Sequence, residues 1–195
     1  AIDEYIMGHG QKIDITVEGS DVTVRDYGRG IPLGKIIECV SVINTGAKYN
    51  DEVFQFSVGL NGVGTKAVNA LSCHFCVTAY REGKFAEATF SKGNLQSENK
   101  GNTTEPNGTR IVFRPDPEIF AEFEYNFEYV ERRMWNYACL NSGLALYFNK
   151  QKFISKNGLL DFLNAEVGDM VTYEPAYFKG QYLEFAFTHT ANYGE

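Results

Sequence analysis

The chain has 195 residues, with 18 Lys and Arg against 25 Asp and Glu, for a net charge of −7. A hydrophobic share of 44% beside 22% charged residues excludes a disordered, collagenous or coiled-coil chain and suffices to fill a core. The acidic balance argues against a protein whose own task is gripping a phosphate backbone, so nucleic acid is expected to be handled by a partner.

No apolar run reaches the roughly 20 residues of a membrane span, and the acidic opening Ala1-Ile2-Asp3-Glu4 is not the basic start of a signal peptide. A soluble, cytoplasmic chain is expected. The cysteines at 39, 73, 76 and 139 agree with that. Cys73 and Cys76 form a C-x-x-C without the second pair a zinc site needs, and they fall in a strand-like run, so free thiols in a reducing compartment are the reading.

The first element is a helix over 1–7, with Ile2, Tyr5 and Ile6 at helical spacing and Gly8 beyond its end. It opens with no N-cap and no initiator Met, which reads as a piece of a longer protein. Alternating segments 12–17 and 22–26 predict a hairpin around Gly19-Ser20-Asp21. Residues 35–44 carry Ile36, Ile37, Val40 and Ile43 on one side of a helix. Residues 45–64 lack either period and predict a long loop; 65–71 predict a short helix.

Segments 73–81 and 84–90 flank Glu82-Gly83 as a second hairpin, and 93–107 read as a polar loop. A strand follows at 109–114, then a break at Pro115 and Pro117. A helix over 128–140 presents Val130, Met134, Tyr137 and Ala138 inward. Residues 144–149 and 152–154 bracket a turn, 159–164 form a short helix, and 171–173 and 182–188 are strands. Antiparallel strands interleaved with helices predict an α+β fold with helices on one sheet face.

Three stretches carry chemistry. In Arg25-Asp26-Tyr27-Gly28-Arg29-Gly30-Ile31-Pro32 a carboxylate ends a strand and Gly-x-Gly lets the backbone approach a ligand. An ionised Asp only accepts hydrogen bonds, which suits an exocyclic amine; a plain Asx turn is the competing reading. In Gly59-Leu60-Asn61-Gly62-Val63-Gly64-Thr65-Lys66 three glycines open a helix, an arrangement of bare N–H groups fit for phosphates or for a hinge. It is not a P-loop, because the Lys and Thr are transposed, and the dinucleotide fingerprint appears only in reverse spacing. In Asn107-Gly108-Thr109-Arg110-Ile111-Val112-Phe113 a turn enters a strand, and the Thr109 hydroxyl reaches the Asp26 pocket if the two strands are neighbours.

In this order the three stretches resemble the nucleotide-binding boxes of the GHKL ATPases. The connecting segments, among them Thr45-Gly46-Ala47-Lys48-Tyr49 and Leu140-Asn141-Ser142-Gly143, are similar to the B subunits of bacterial type IIA topoisomerases, with topoisomerase IV preferred to gyrase. The resemblance implies a two-layer GHKL sandwich over 1–165, with the first strands of a transducer domain over 166–195. It implies ATP with Mg2+ as cofactors. The implied partners, all through regions outside these residues, are the A subunit and DNA; the intact enzyme would dimerise with ATP and lie on the nucleoid.

Residue by residue, the resemblance gives Asp26 the adenine amine, with a water shared by Gly30 and Thr109. Ile31 and Pro32 line the adenine slot, and Arg29 sits at its rim beside Glu4. Gly59, Leu60, Asn61, Gly62, Val63 and Gly64 wrap the phosphates, with Lys48 in a lid over them. The family's general-base Glu and Mg2+-ligand Asn fall before the position of Ala1, so these residues by themselves are expected to bind adenine ligands and hydrolyse little. Glu87 stands where an Arg near the pocket is expected, and Phe54 where a lid Tyr is. Two rivals remain: a non-hydrolysing binding module of the same fold, and a chaperone or kinase of the same superfamily.

Overall fold

A computed structural model describes residues 1–42 and 63–191. Eight of the described strands form one sheet. Alternation builds its centre: β1 (Lys12–Glu18) and β2 (Asp21–Asp26) pair antiparallel, as do β3 (Ser72–Arg81) and β4 (Lys84–Ser91). The turn between β3 and β4 is Glu82-Gly83, both at positive φ (54° and 74°), which matches the twist of a tight hairpin. The strand β6 (Gly108–Pro115) joins the two hairpins, pairing with β2 on one side and β3 on the other. With β5 (Asn94–Asn102), β7 (Ala145–Phe148) and β8 (Gln151–Phe153) the order is β5-β4-β3-β6-β2-β1-β7-β8; β1 and β7 are parallel.

The expected polar loop over 93–107 is a strand for most of its length. β5 pairs with β4 from Lys84↔Asn102 to Ser91↔Asn94. Its side chains are almost all exposed, because it is the outer edge and no layer covers it. The backbone ladder holds it, so no apolar alternation is required, and charge and amides on an edge discourage further pairing.

Helices cover one face. α1 (Ile2–Ile6), α2 (Ile36–Ser41), α3 (Gly64–Ala70) and α4 (Phe127–Leu140) fall close to the predicted spans. Ile36 and Val40 of α2 pack with Phe75, Val77, Ala79, Ala86, Ala88 and Phe90 of the β3–β4 hairpin. Met134 and Ala138 of α4 pack with Ile13, Leu144, Leu146, Phe148 and Phe153. On α4 the inner face differs from expectation: Cys139 is buried, while Tyr137 is exposed. Asn126 caps α4, its Oδ1 accepting from Tyr129 N at 3.0 Å.

Beyond the sheet lie α5 (Leu159–Val167), a 3-10 turn over Gly168–Met170 and a separate hairpin of β9 (Ala176–Lys179) and β10 (Glu184–Phe187). The strand expected at 171–173 is absent; Val171 makes only an isolated bridge with Thr190. The turn decides this. Gly180 N donates to Leu183 O at 2.8 Å, which makes the immediately preceding residues the partners of Glu184–Phe187. Glu184 ties the hairpin to α5, accepting from Leu159 N at 3.4 Å and Tyr177 OH at 2.9 Å. Among the described residues no helix is long and apolar enough to cross a membrane.

Candidate functional site

Register brings the first and third stretches together. Arg25 pairs with Arg110 between β2 and β6, so the next residue of each strand, Asp26 and Thr109, stand side by side. Thr109 N donates to Asp26 Oδ1 at 3.1 Å, and Gly28 N donates to the same oxygen at 3.0 Å. The second bond is the Asx turn of the competing reading, so one carboxylate oxygen is structural. Among the described residues the other oxygen, Oδ2, accepts no hydrogen bond, although Asp26 is only 9% exposed. A buried carboxylate left with a free acceptor lobe is suited to a ligand donor. The Thr109 hydroxyl accepts from Ile31 N at 3.3 Å, which holds the turn against β6.

Gly30 sits where the turn touches the sheet, at φ +78°. A Cβ there would lie 2.6 Å from Tyr80 O and 2.9 Å from Gly108 O, so only glycine lets the loop lie this close. Arg29 follows Asp26 outward to α1. Its Nη2 donates to Glu4 Oε1 at 3.0 Å, and its Nε and backbone N donate to Oε2 at 3.1 and 3.0 Å. Burial opposes ionisation of Glu4, but the bonds from Arg29 outweigh it and hold the carboxyl below its ordinary value.

These residues line one cleft of about 410 Å³, with Glu4, Asp26, Arg29, Gly30, Ile31, Pro32 and Thr109 on one side. Cys39 and Val40 of α2, Thr65 of α3, Ile111 and Arg81 complete it. Burial pushes the Cys39 thiol up from its ordinary value. Val63 precedes α3 and Gly64 opens it, one residue before Thr65. The expected phosphate and lid positions Lys48, Phe54, Gly59, Leu60, Asn61 and Gly62 lie outside the described residues.

The expectation for Glu87 is corrected. It pairs with Thr78 across β3 and β4 and accepts from Thr78 Oγ1 at 2.9 Å, on the sheet face away from α2. Ala86 and Ala88, its neighbours in β4, are the residues that face the helices. The charge at the cleft is instead Arg81, the last residue of β3 before the hairpin turn. Sequence reasoning also missed Arg25. This side chain is 7% exposed, lies over the rings of Tyr27 and Tyr80, and donates to Asp26 O and Pro106 O, both at 2.6 Å. It clamps the Asp26 backbone to the turn that leads into Thr109. Its place beside Asp26 in the sequence was a signal, but the strand period put it on the other face.

No protein-family model matches the chain. The chain is 57% identical over 196 aligned residues to the B subunit of DNA topoisomerase 4 from Borreliella burgdorferi, covering 100% of this chain and 33% of that one. It is 33% identical over 217 aligned residues to the B subunit of DNA gyrase from Thermus thermophilus, covering 99% and 34%. The chain belongs to the type II topoisomerase B-subunit family. The fold agrees: the 43K ATPase domain of Thermus thermophilus gyrase B, solved in complex with an aminocoumarin, superposes with a TM-score of 0.78 at 27% identity, over 100% of this chain and 55% of that one. The chain spans about a third of the length of the B subunits it matches. In this chain the cleft described above is built by β2, β3, β6, α1, α2 and α3 of an α+β sandwich.

Proposed function

We propose that this chain is the ATP-binding part of the B subunit of a type II topoisomerase, with topoisomerase IV the first reading and gyrase the second. In the whole protein it would couple ATP binding and hydrolysis to DNA strand passage. The observation that carries the reading is the Oδ2 of Asp26, which no described residue bonds, beside Thr109 in a cleft that Ile31, Pro32, Val40 and Ile111 also line. The adenine amine donates to Oδ2, while Ile31, Pro32, Val40 and Ile111 flank the ring. Arg29 and Arg81 at the rim make the outer part of the cleft favourable to a triphosphate.

The remaining assignments rest on the family resemblance. Lys48, Gly59, Leu60, Asn61, Gly62, Val63 and Gly64 wrap the phosphates. Catalysis in such a site is positioning of the phosphates plus one general base, and the residues matching that base and the Mg2+ ligand lie outside this sequence. Among the described residues no cluster of three or more His, Cys, Asp or Glu is placed to hold a metal. Residues 1–165 form the nucleotide domain, and 166–195, with the separate β9–β10 hairpin, begin the next one. The A subunit, DNA and a second copy are the partners of the whole protein.

Isothermal titration with a non-hydrolysable ATP analogue tests the reading. Binding is expected in the wild type, and Asp26→Asn should weaken it by about 1–3 kcal/mol, the scale for a ligand donor that loses its buried acceptor. An aminocoumarin should compete with the analogue. Titrations without heat for both ligands would favour the rival, a non-catalytic interaction module that keeps the fold without nucleotide.

A further inference from the structure

Helix α2 ends at Ser41, so the carbonyls of its last turn have no partner within the helix. One of them is met from outside. The Asn69 side chain, on α3, donates from Nδ2 to Val40 O at 3.0 Å. Cys39 and Val40 of α2 and Thr65 of α3 line the nucleotide cleft, so this bond joins the two helices that form its helical wall. Thr65 and Asn69 are four residues apart and share one face of α3. Asn69 is fully buried and is not among the residues lining the cleft, so it does not touch a bound ligand.

Stability does not explain an amide at this position. Asn69 Oδ1 is buried and has no hydrogen-bond partner, and native structures rarely strand a buried acceptor. The adjoining Val40 and Val68 belong to the apolar layer over the β3–β4 hairpin, where a leucine of similar size would carry no oxygen to strand. Leucine would instead leave Val40 O, in a residue only 1% exposed, without its donor. Either choice strands one acceptor, so the two come out close in stability. What asparagine adds is direction, because a hydrogen bond fixes a distance and an angle between α2 and α3 that apolar contact leaves loose.

We propose that Asn69 is a positioning residue for nucleotide binding: by holding Val40 O it sets the α2–α3 wall of the cleft before the ligand arrives. Without the tie the ligand must order that wall itself, and the ordering cost lowers its affinity. The inference rests on the nucleotide reading and goes beyond it, since it gives a role in binding to a side chain that no ligand touches.

Asn69→Leu is the test, read by titration with a non-hydrolysable ATP analogue beside thermal melts. Its affinity should fall about threefold to tenfold, the worth of one net hydrogen bond, while its melting temperature stays near wild type. Methyl-resolved NMR of the variant should show Val40 and Thr65 shifted, with Met134 and Ala138 unmoved. Asn69→Ala should lose at least as much affinity, and it carries the test if leucine is not accommodated. Asn126→Ala removes the cap of α4, a helix with no residue in the cleft, and should lower the melting temperature without changing affinity. Undiminished affinity in the Asn69 variants, or an equal loss in Asn126→Ala, overturns the inference and leaves the nucleotide reading standing. A wild type that binds no analogue overturns both.

Discussion

Asp26 and Thr109, 83 residues apart in sequence, are joined by a 3.1 Å hydrogen bond from the Thr109 backbone to Asp26 Oδ1. The bond makes one side chain both a structural latch and, through its other oxygen, a ligand acceptor. These roles separate by substitution. Asp26→Asn keeps an Oδ1 acceptor for Thr109 N and Gly28 N, so its melting temperature should stay near wild type while adenine-ligand affinity falls. Asp26→Ala strands two N–H groups and should cost about 1–3 kcal/mol for each that stays buried. Denaturant melts of both variants beside titrations check the split; equal stability loss in the two would refute the division of labour.

Gly108→Ala should be among the most damaging single substitutions. A Cβ there would lie 2.2 Å from Asp26 O and 2.5 Å from the Arg25 guanidinium, at φ +137°. Both neighbours are held, so neither can give way, and a loss of about 3–5 kcal/mol is expected. Urea unfolding measures it.

Arg81 and Glu87 offer a paired test of which charge serves the cleft. Arg81→Gln should weaken a triphosphate ligand by roughly threefold at low salt, since the group is at a solvated rim, with the effect shrinking as salt rises. Glu87→Gln lies on the other sheet face and should leave affinity unchanged. A reversed outcome in titrations at low and high NaCl would return Glu87 to the site.

The Glu4–Arg29 pair should be worth little to stability in itself. Arg29 is 44% exposed in its side chain, so Glu4→Gln should cost about 0.2–1 kcal/mol, and less in high salt. Its larger consequence is positional, because Arg29 N also donates to Glu4 and the turn carrying Gly28 and Gly30 is thereby tied to α1. Weaker adenine-ligand binding with a near-normal melting temperature is the expected signature in titration and calorimetry.

Asp161 gives a pH-dependent prediction. Burial disfavours its charge, but bonds from Asn157, Ser155 and Lys156 prevail and hold the carboxyl below its ordinary 3.8. A depressed folded-state value means the stabilisation is complete above 3.8 and is lost as pH falls through the folded value. Asp161→Asn should therefore destabilise by about 1 kcal/mol at neutral pH, with the gap to wild type closing as the medium is acidified past that value. Thermal melts across that range check the sign.

What was legible in the sequence was the set of elements whose period is enforced by a buried face. Both central hairpins, β6 and the helices α1, α2 and α4 were readable because each presents apolar residues to the layer opposite. β5 was not, because an exposed edge is held by backbone bonds that leave no mark on side-chain type. β10 lies within the strand expected at 182–188, but its partner β9 was not read, because a turn at Gly180, not apolar content, selected the partner strand.

By itself the sequence determined that an aspartate ends a strand before a glycine-rich turn, and that a threonine begins another strand far away. Only the tertiary structure decided that β2 and β6 pair in the register that makes them neighbours, that Arg81 and not Glu87 faces the cleft, and that Arg25 braces the arrangement from behind. The reason is geometric. A strand alternates faces at every residue, so which side chains share a pocket depends on pairing across the sheet, and pairing is a property of distant segments that no local pattern contains.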